Sequence, residues 1–474
     1  MFRMINPVRE YAWGSTTAFS ELFGWASSAS PRAEIWMGAH PGDPSSLELG
    51  PEGGDMDAAS AVADGADLAD PAVLAESAAR SVTLPEYLQR SGEASGSFPF
   101  LLKVLAAEQP LSIQSHPTRA RAQAGFAAEE ATGLPLDAPT RSYKDPNAKP
   151  ELIVALTEFS ALCGFRPYAE AAAELSGLVQ ALGGDAGESA PGVSAVVSRL
   201  QQHVAAQDYS RALEQLLRSA RAEATAAAGE LSALLADGRL GAGLSADAAQ
   251  MLQHVAQDFP RDPGIFVTLL LNRLLLAPGE SIYLPAGNLH AYLHGVGVEI
   301  MANSDNVLRG GLTSKHLDVD ELLKVTDCEV LPVPHCPVQE TGPQEVASEQ
   351  ADPSGPTPPR RLRYEAPFEE FQLEQYEFPG EATLDAPGHG ILLCTAGEIT
   401  LSAPEASETL RMLTLTPGTS AFLPETVGHR VSAGEYAQAF MATTSLASRA
   451  SQQSPASSDS PASHHSPDQE HPRP

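Results

Sequence analysis

The sequence predicts a mainly β protein carrying one α-helical insertion, and three observations predict it. Short apolar runs bounded by turn residues fill the first third. Leucines at helical spacing fill a middle stretch. Strand-like runs then return and continue almost to the end. Up to about Pro167 the runs are FPFLLKVLAA, PLSIQSHP and ELIVALTEF, set between Gly and Pro, and their length suits buried strands. After that, YAEAAAELSGLVQALGG puts Leu175, Leu178 and Leu182 on one helical face. YSRALEQLLRSARAEATAAAGELSALLADG groups Leu213, Leu216 and Leu217 and stops at Gly238. These leucines read as packing stripes. Strand texture resumes in GIFVTLLLNRLLLAPGESIYLPAGNLHAYLHGVGVEIM. It returns again in FEEFQLEQYEF, HGILLCTAGEITL, TSAFLPE and HRVSAG, the last group suiting a barrel or sandwich.

The expected organisation is a β domain from residues 1–166 and 263–336, a helical insertion at 167–262 and a linker at 337–360. A C-terminal β domain at 361–445 and a disordered tail at 446–474 complete it. The linker stands out through six prolines (337, 343, 353, 356, 358 and 359), and the tail through its Ser and Pro content. An acidic excursion spans residues 51–79. The paired His464 and His465 belong to the solvated tail.

The 474 residues carry 29 Lys and Arg against 60 Asp and Glu, a formal net charge of −31. Such a charge repels nucleic acid and anionic membrane surfaces, so neither is an expected partner. It also makes each cation near metal-type residues informative. The opening MFRMINPVREYAWG lacks the apolar run of a secretory signal, and Phe266–Leu276 is too short to span a bilayer. Four scattered cysteines (163, 328, 336 and 394) read as free thiols of a cytoplasmic protein.

Four segments carry candidate chemistry. In Pro110–Pro117, strand alternation sets Ser112, Gln114 and His116 on one face and Leu111 and Ile113 on the other. In KDPNAKPE, Glu151 heads an apolar run, where a carboxylate is costly unless paired or bound to a cation, and Lys149 shares its face. In LPAGNLH and beyond, alternation groups His290 with Tyr292 and His294. Gln114, His116, Glu151 and His290 together make a four-ligand N/O set suited to Zn²⁺, although two His and a carboxylate also suit non-haem iron. The fourth segment, VEIMANSDNVLRGGLTSK, gathers Glu299, Asp305, Arg309 and Lys315 around small residues that allow close backbone approach to a ligand.

PLSIQSHP, KPELIVAL, YLPAGNLHAYL and EIMANSDNVLRGGLTSKHLDV closely resemble the signature blocks of the type I phosphomannose isomerase family. YAWGS and PRAEIWMGAHP resemble its N-terminal blocks. The likeness is strong over about residues 1–324. It implies cupin-type (jelly-roll) β-barrels with a helical insertion, and a zinc enzyme with one Zn²⁺ per chain that interconverts mannose 6-phosphate and fructose 6-phosphate. By motif position, Gln114, His116, Glu151 and His290 would be the zinc ligands, and Arg309 resembles the family's active-site arginine. Lys103, Ser112, Lys149, Glu299 and Asp305 match pocket-lining positions. Ala148 stands where the family block usually has histidine, so any role of that histidine is absent here.

On this reading Arg309 stabilises oxyanion charge in a cis-enediol-like intermediate, and Lys149 or Glu299 carries the proton. Lys103, Ser112 and Lys315 are the expected phosphate donors. Two rivals stay open: another cupin metalloenzyme, such as an Fe(II) dioxygenase, and a non-catalytic sugar-phosphate sensor. His429 echoes the LPAGNLH segment, with His389 as a nearby histidine, yet a metal-free C-terminal barrel is expected. The chain is expected to act as a monomer.

Overall fold

The computed structural model describes residues 1–49, 81–92, 98–183, 185–341, 359–380, 382–384, 390–402, 412–424, 429–433 and 436–444. The acidic stretch at 51–79, the tail at 446–474 and His389 lie outside these residues. The chain builds antiparallel sheets and one helical block. One sheet has nine strands, in the order Val338–Thr341, Arg360–Tyr364, Gln372–Phe378, Ala437–Thr443, Gly390–Ala396, Ser420–Leu423, Phe2–Ile5, Ser46–Glu48 and Ser81–Thr83. A second, ten-stranded sheet branches at its longest strand, His290–Ala302, and a four-stranded sheet has the order Ala382–Leu384, His429–Ala433, Ile399–Ser402 and Met412–Leu415. The described strands close no ring.

Two differences from the expected organisation concern this first sheet. The N-terminal strand Phe2–Ile5 pairs with Ser420–Leu423, so the start of the chain completes the C-terminal sheet. Val338–Thr341, expected within a linker, instead pairs with Arg360–Tyr364. Backbone pairing is long-range, and proline content reveals nothing about it.

Phe100–Ala107 is buried along its whole length because both of its faces are covered. Leu102, Val104 and Ala106 pack with Leu152, Val154, Val298 and Ile300 against Leu373, Leu393, Phe422 and Phe440 of the nine-stranded sheet. Its other face, with Leu105 and Ala107, joins Ile153, Phe159, Ala161, Cys163 and Tyr292 as an apolar floor. Alternate residues of the same strands therefore face the sandwich core on one side and the apolar floor on the other.

The helices Tyr168–Ala181, Pro191–Ala205, Tyr209–Glu214, Arg221–Ala236 and Ala246–Asp258 bury the predicted leucine stripes in one core. Leu289, Ala291 and Leu293 enter that same core, so the helical block backs the strand that bears His290. The stretch expected as one helix before Gly238 is broken by a π-helical turn at Gln215–Ser219. Gly264–Leu270, expected as strand, is helical, its start fixed by Asp262 accepting from the Gly264 N–H at 2.7 Å. A run buried on all sides has no polar face from which periodicity can be read. No helix among the described residues is long and apolar enough to cross a membrane.

A bulge in the long strand positions the site. The ladder with Phe159–Phe165 runs in register through Tyr292 and then slips, with His294 opposite Ser160. The extra residue flips the alternation, so His294 turns outward, exposed and near His254, instead of joining His290 and Tyr292. The same flip brings Glu299 and Met301, at odd positions, to the face used by His290 and Tyr292. Gly295 sustains it at φ +117°, where a Cβ would lie 2.5 Å from the Glu158 carbonyl oxygen. Gly295→Ala is expected to destabilise the protein by about 1–3 kcal/mol and weaken metal affinity, measured by thermal denaturation and metal titration.

Candidate metal centre

Three cross-strand relations assemble the site. Gln114 lies directly opposite both His290 and Arg309, which sets Arg309, Gln114 and His290 in one row on one face. Glu299 lies opposite Lys103, and Met301 opposite Glu151. His116 follows the short strand Ile113–Ser115 and is fully buried. That strand is shorter than expected, and alternation does not extend to Leu111. Ile113 enters the helical core, whereas Leu111 packs on the apolar floor. Ser112, partly buried, lies just before the strand.

The protonation pattern of the two histidines is set by backbone carbonyls. His116 Nδ1 is 2.8 Å from the Asn306 oxygen, and His290 Nδ1 is 3.1 Å from the Asn288 oxygen. A carbonyl only accepts, so each Nδ1 carries a proton, and in the neutral ring it is Nε2 that presents the lone pair. Those Nε2 atoms lie 3.4 and 3.5 Å from Glu151 Oε2. All three atoms are buried and, among the described residues, without a hydrogen-bond partner. Burial, opposed by Glu151, takes the His116 imidazole down to about 4, so it is neutral near pH 7. Three buried lone pairs facing one another repel unless a cation stands between them. The ligand atoms lie within 4.8 Å of one another, the one such trio among the described residues. Residues and chemistry therefore fit a divalent ion, with the second nitrogen of each imidazole anchored as ligating histidines require.

Around this trio lies a charge network. Lys149 Nζ sits 2.7 Å from Glu151 Oε1. Burial disfavours the Glu151 carboxylate, yet Lys149 and His116 hold it well below the usual range. Lys103 is buried between Glu299, at 3.0 Å, and Glu34, at 3.4 Å. Trp36 Nε1 donates to Glu34 and the Tyr292 hydroxyl donates to Glu299. Burial raises the Glu299 carboxyl, and Lys103 pulls it back only partly. Lys103 lies above its usual value despite burial, because Glu299 and Glu34 flank it.

A cationic group borders the centre. Burial depresses Lys315, with Arg309 and Lys144 adding repulsion, and burial depresses Arg309. Among the described residues neither Arg309 nor Lys315 has a carboxylate partner, which is notable in a chain of net charge −31. Asp305 is exposed, 3.7 Å from His40 Nε2. Residue-by-residue reading missed Lys144 and the buried His40. Both lie in segments quoted above, KDPNAKPE and PRAEIWMGAHP, and only the fold reveals their neighbours.

Fold and site together define a β-sheet metalloprotein with one buried two-histidine, one-carboxylate centre beside a rim that carries Arg309, Lys315 and Lys144. Residues 1–168 match the family described as phosphomannose isomerase type I, catalytic domain. The chain is 35% identical over 425 residues to the mannose-6-phosphate isomerase of Escherichia coli (strain K12), covering 89% of this chain and 94% of that one. It is 31% identical to the Homo sapiens mannose-6-phosphate isomerase, covering 85% and 89%. A solved mannose 6-phosphate isomerase bound with zinc and yttrium superposes with a TM-score of 0.72 at 31% identity, covering 94% of this chain and all of that one. A mutant phosphomannose isomerase from Salmonella typhimurium superposes with a TM-score of 0.73 at the same identity and coverage of this chain. The chain belongs to the type I phosphomannose isomerase family.

Proposed function

We propose that this chain interconverts D-mannose 6-phosphate and D-fructose 6-phosphate with one zinc ion, held by Gln114, His116, Glu151 and His290 in a cupin-type, jelly-roll β architecture. The observation that carries the reading is the trio of buried, unpartnered lone pairs on His116, Glu151 and His290. When bound there, zinc supplies Lewis acidity toward the adjacent oxygens of the sugar and orients them. Gln114 lies across from His290 and completes the ligand set with a neutral amide oxygen.

The chain's own residues do the rest. Arg309, one strand over in the same row, faces the oxyanion charge that builds as the proton moves between C2 and C1. Its guanidinium stays charged throughout. Glu299 is the proton carrier we favour over Lys149. Burial raises its carboxyl toward the working range, and the Tyr292 hydroxyl and Lys103 fix its two oxygens. Lys149 is engaged by Glu151 and balances its charge. Lys315, with Lys144 and Arg309 beside it, receives the phosphate, and Ser112, just before the strand that bears Gln114, is proposed as a further donor to it. Lys103 serves Glu299 in place of the phosphate. Free thiols and an acidic surface support a cytoplasmic protein acting as a monomer.

The test is a coupled assay with mannose 6-phosphate before chelation, after it, and after zinc return, with metal content measured at each stage. Turnover should vanish with the metal and return with zinc. Full turnover without metal, stoichiometric iron in the purified protein, or tight binding without turnover would each overturn the reading.

A further inference from the structure

We propose that Asn306 is a positioning residue that locks the metal-ligand end of the site to the cationic end. This rests on the isomerase reading above. Asn306 is fully buried in the irregular loop between the strands His290–Ala302 and Leu308–Gly311. Its backbone carbonyl is the group that fixes the His116 proton, at 2.8 Å. Its side chain faces the other way and grips the irregular segment at 144–147. The amide oxygen accepts from the Lys144 N–H at 2.7 Å and the Asp145 N–H at 3.3 Å. The amide nitrogen donates to the carbonyls of Asp145 at 2.7 Å and Asn147 at 2.9 Å, and to Asp145 Oδ1 at 3.3 Å.

Asp145 returns the clamp. Its Oδ2 accepts from the Asp305 N–H at 2.8 Å and from Ser304 Oγ at 3.1 Å. Neither segment has a strand ladder to satisfy its backbone, so side chains do that work. The segment gripped by Asn306 carries Lys144 and leads directly into Lys149 and Glu151, and Arg309 follows three residues after Asn306. One residue therefore couples the aim of His116, through its carbonyl, with the placement of Glu151 and Lys144, through its amide. His290 is held separately, by Asn288.

The experiment measures zinc affinity by chelator competition, KM for mannose 6-phosphate in excess zinc, and the melting temperature of metal-free protein. It compares wild type with Asn306→Ala, Asn306→Asp and, as a control, Asn303→Ala. Asn303 donates one bond to the Phe98 carbonyl at 2.9 Å, and among the described residues its link to 144–147 is its backbone carbonyl, which accepts from Asn147 Nδ2 at 3.4 Å and which the substitution leaves in place. Asn306→Ala and Asn306→Asp keep the backbone carbonyl but free its loop from 144–147, and misplacing a ligand's support in this way is expected to weaken zinc binding about tenfold or more and to raise KM. Asn303→Ala should stay within about twofold on both, since its bond supports no ligand. Asn306→Asp keeps the shape but sets an oxygen against Asp145 and two carbonyls, and it decides the matter if Asn306→Ala does not fold. Folded Asn306 variants with wild-type zinc affinity and KM, or equal weakening by Asn303→Ala, would overturn the proposal. Zinc bound by wild type without isomerase turnover would count against the functional reading alone, because the affinity comparison still stands.

Discussion

His290→Ala is expected to yield a folded protein without stoichiometric zinc and with turnover reduced by at least about a hundredfold, more than loss of a supporting partner alone brings. His290 Nε2 and His116 Nε2 flank Glu151 Oε2 at 3.5 and 3.4 Å. Removing one imidazole leaves one nitrogen, a carboxylate oxygen and the weakly donating amide oxygen of Gln114, a set too poor to displace the hydration of the ion. The same change should abolish the rise in melting temperature that zinc confers on the wild type, because binding to the folded state alone is what stabilises it. Elemental analysis, the coupled assay and thermal denaturation with and without zinc check the three parts. Zinc retained at one per chain with full turnover would remove His290 from the centre.

Arg309→Ala should separate chemistry from metal binding. Arg309 shares a row with Gln114 and His290 yet has no place among the three unpartnered ligand atoms. Zinc content and melting behaviour should therefore stay near wild type while kcat falls by about 10²–10³, the usual cost of losing one donor aimed at developing oxyanion charge. Arg309→Lys should recover only part of that loss, since an ammonium lacks the planar fork of a guanidinium. Loss of zinc in Arg309→Ala, or unchanged kcat, would contradict the role.

Much of the site was legible because its residues sit in short segments of constrained composition. Glu151 at the head of LIVAL announced itself as a buried carboxylate needing a cation, and Lys149 proved to be 2.7 Å away. The helical leucines were equally plain, since one face of a helix repeats its demand every turn. His294 was misassigned for the opposite reason. Strict alternation cannot anticipate a bulge, and one extra residue turned His294 to solvent while delivering Glu299 to the face that bears His290 and Tyr292. Lys103 looked like a phosphate donor until the ladder set it between Glu34 and Glu299. Its neighbours come from strands 69 and 196 residues away along the chain.

By itself the sequence determined which residue types were available and the period of each element, and hence the helical insertion, the buried strands and the ligand-type side chains. These follow from local propensity and from the cost of burying charge. Only the tertiary structure decided which nitrogen of each histidine is bare, that Asn306 joins two loops, and that cations without carboxylate partners gather at one rim. Those facts depend on carbonyls and charges brought together from distant parts of the chain. Short-range periodicity carries no record of such meetings.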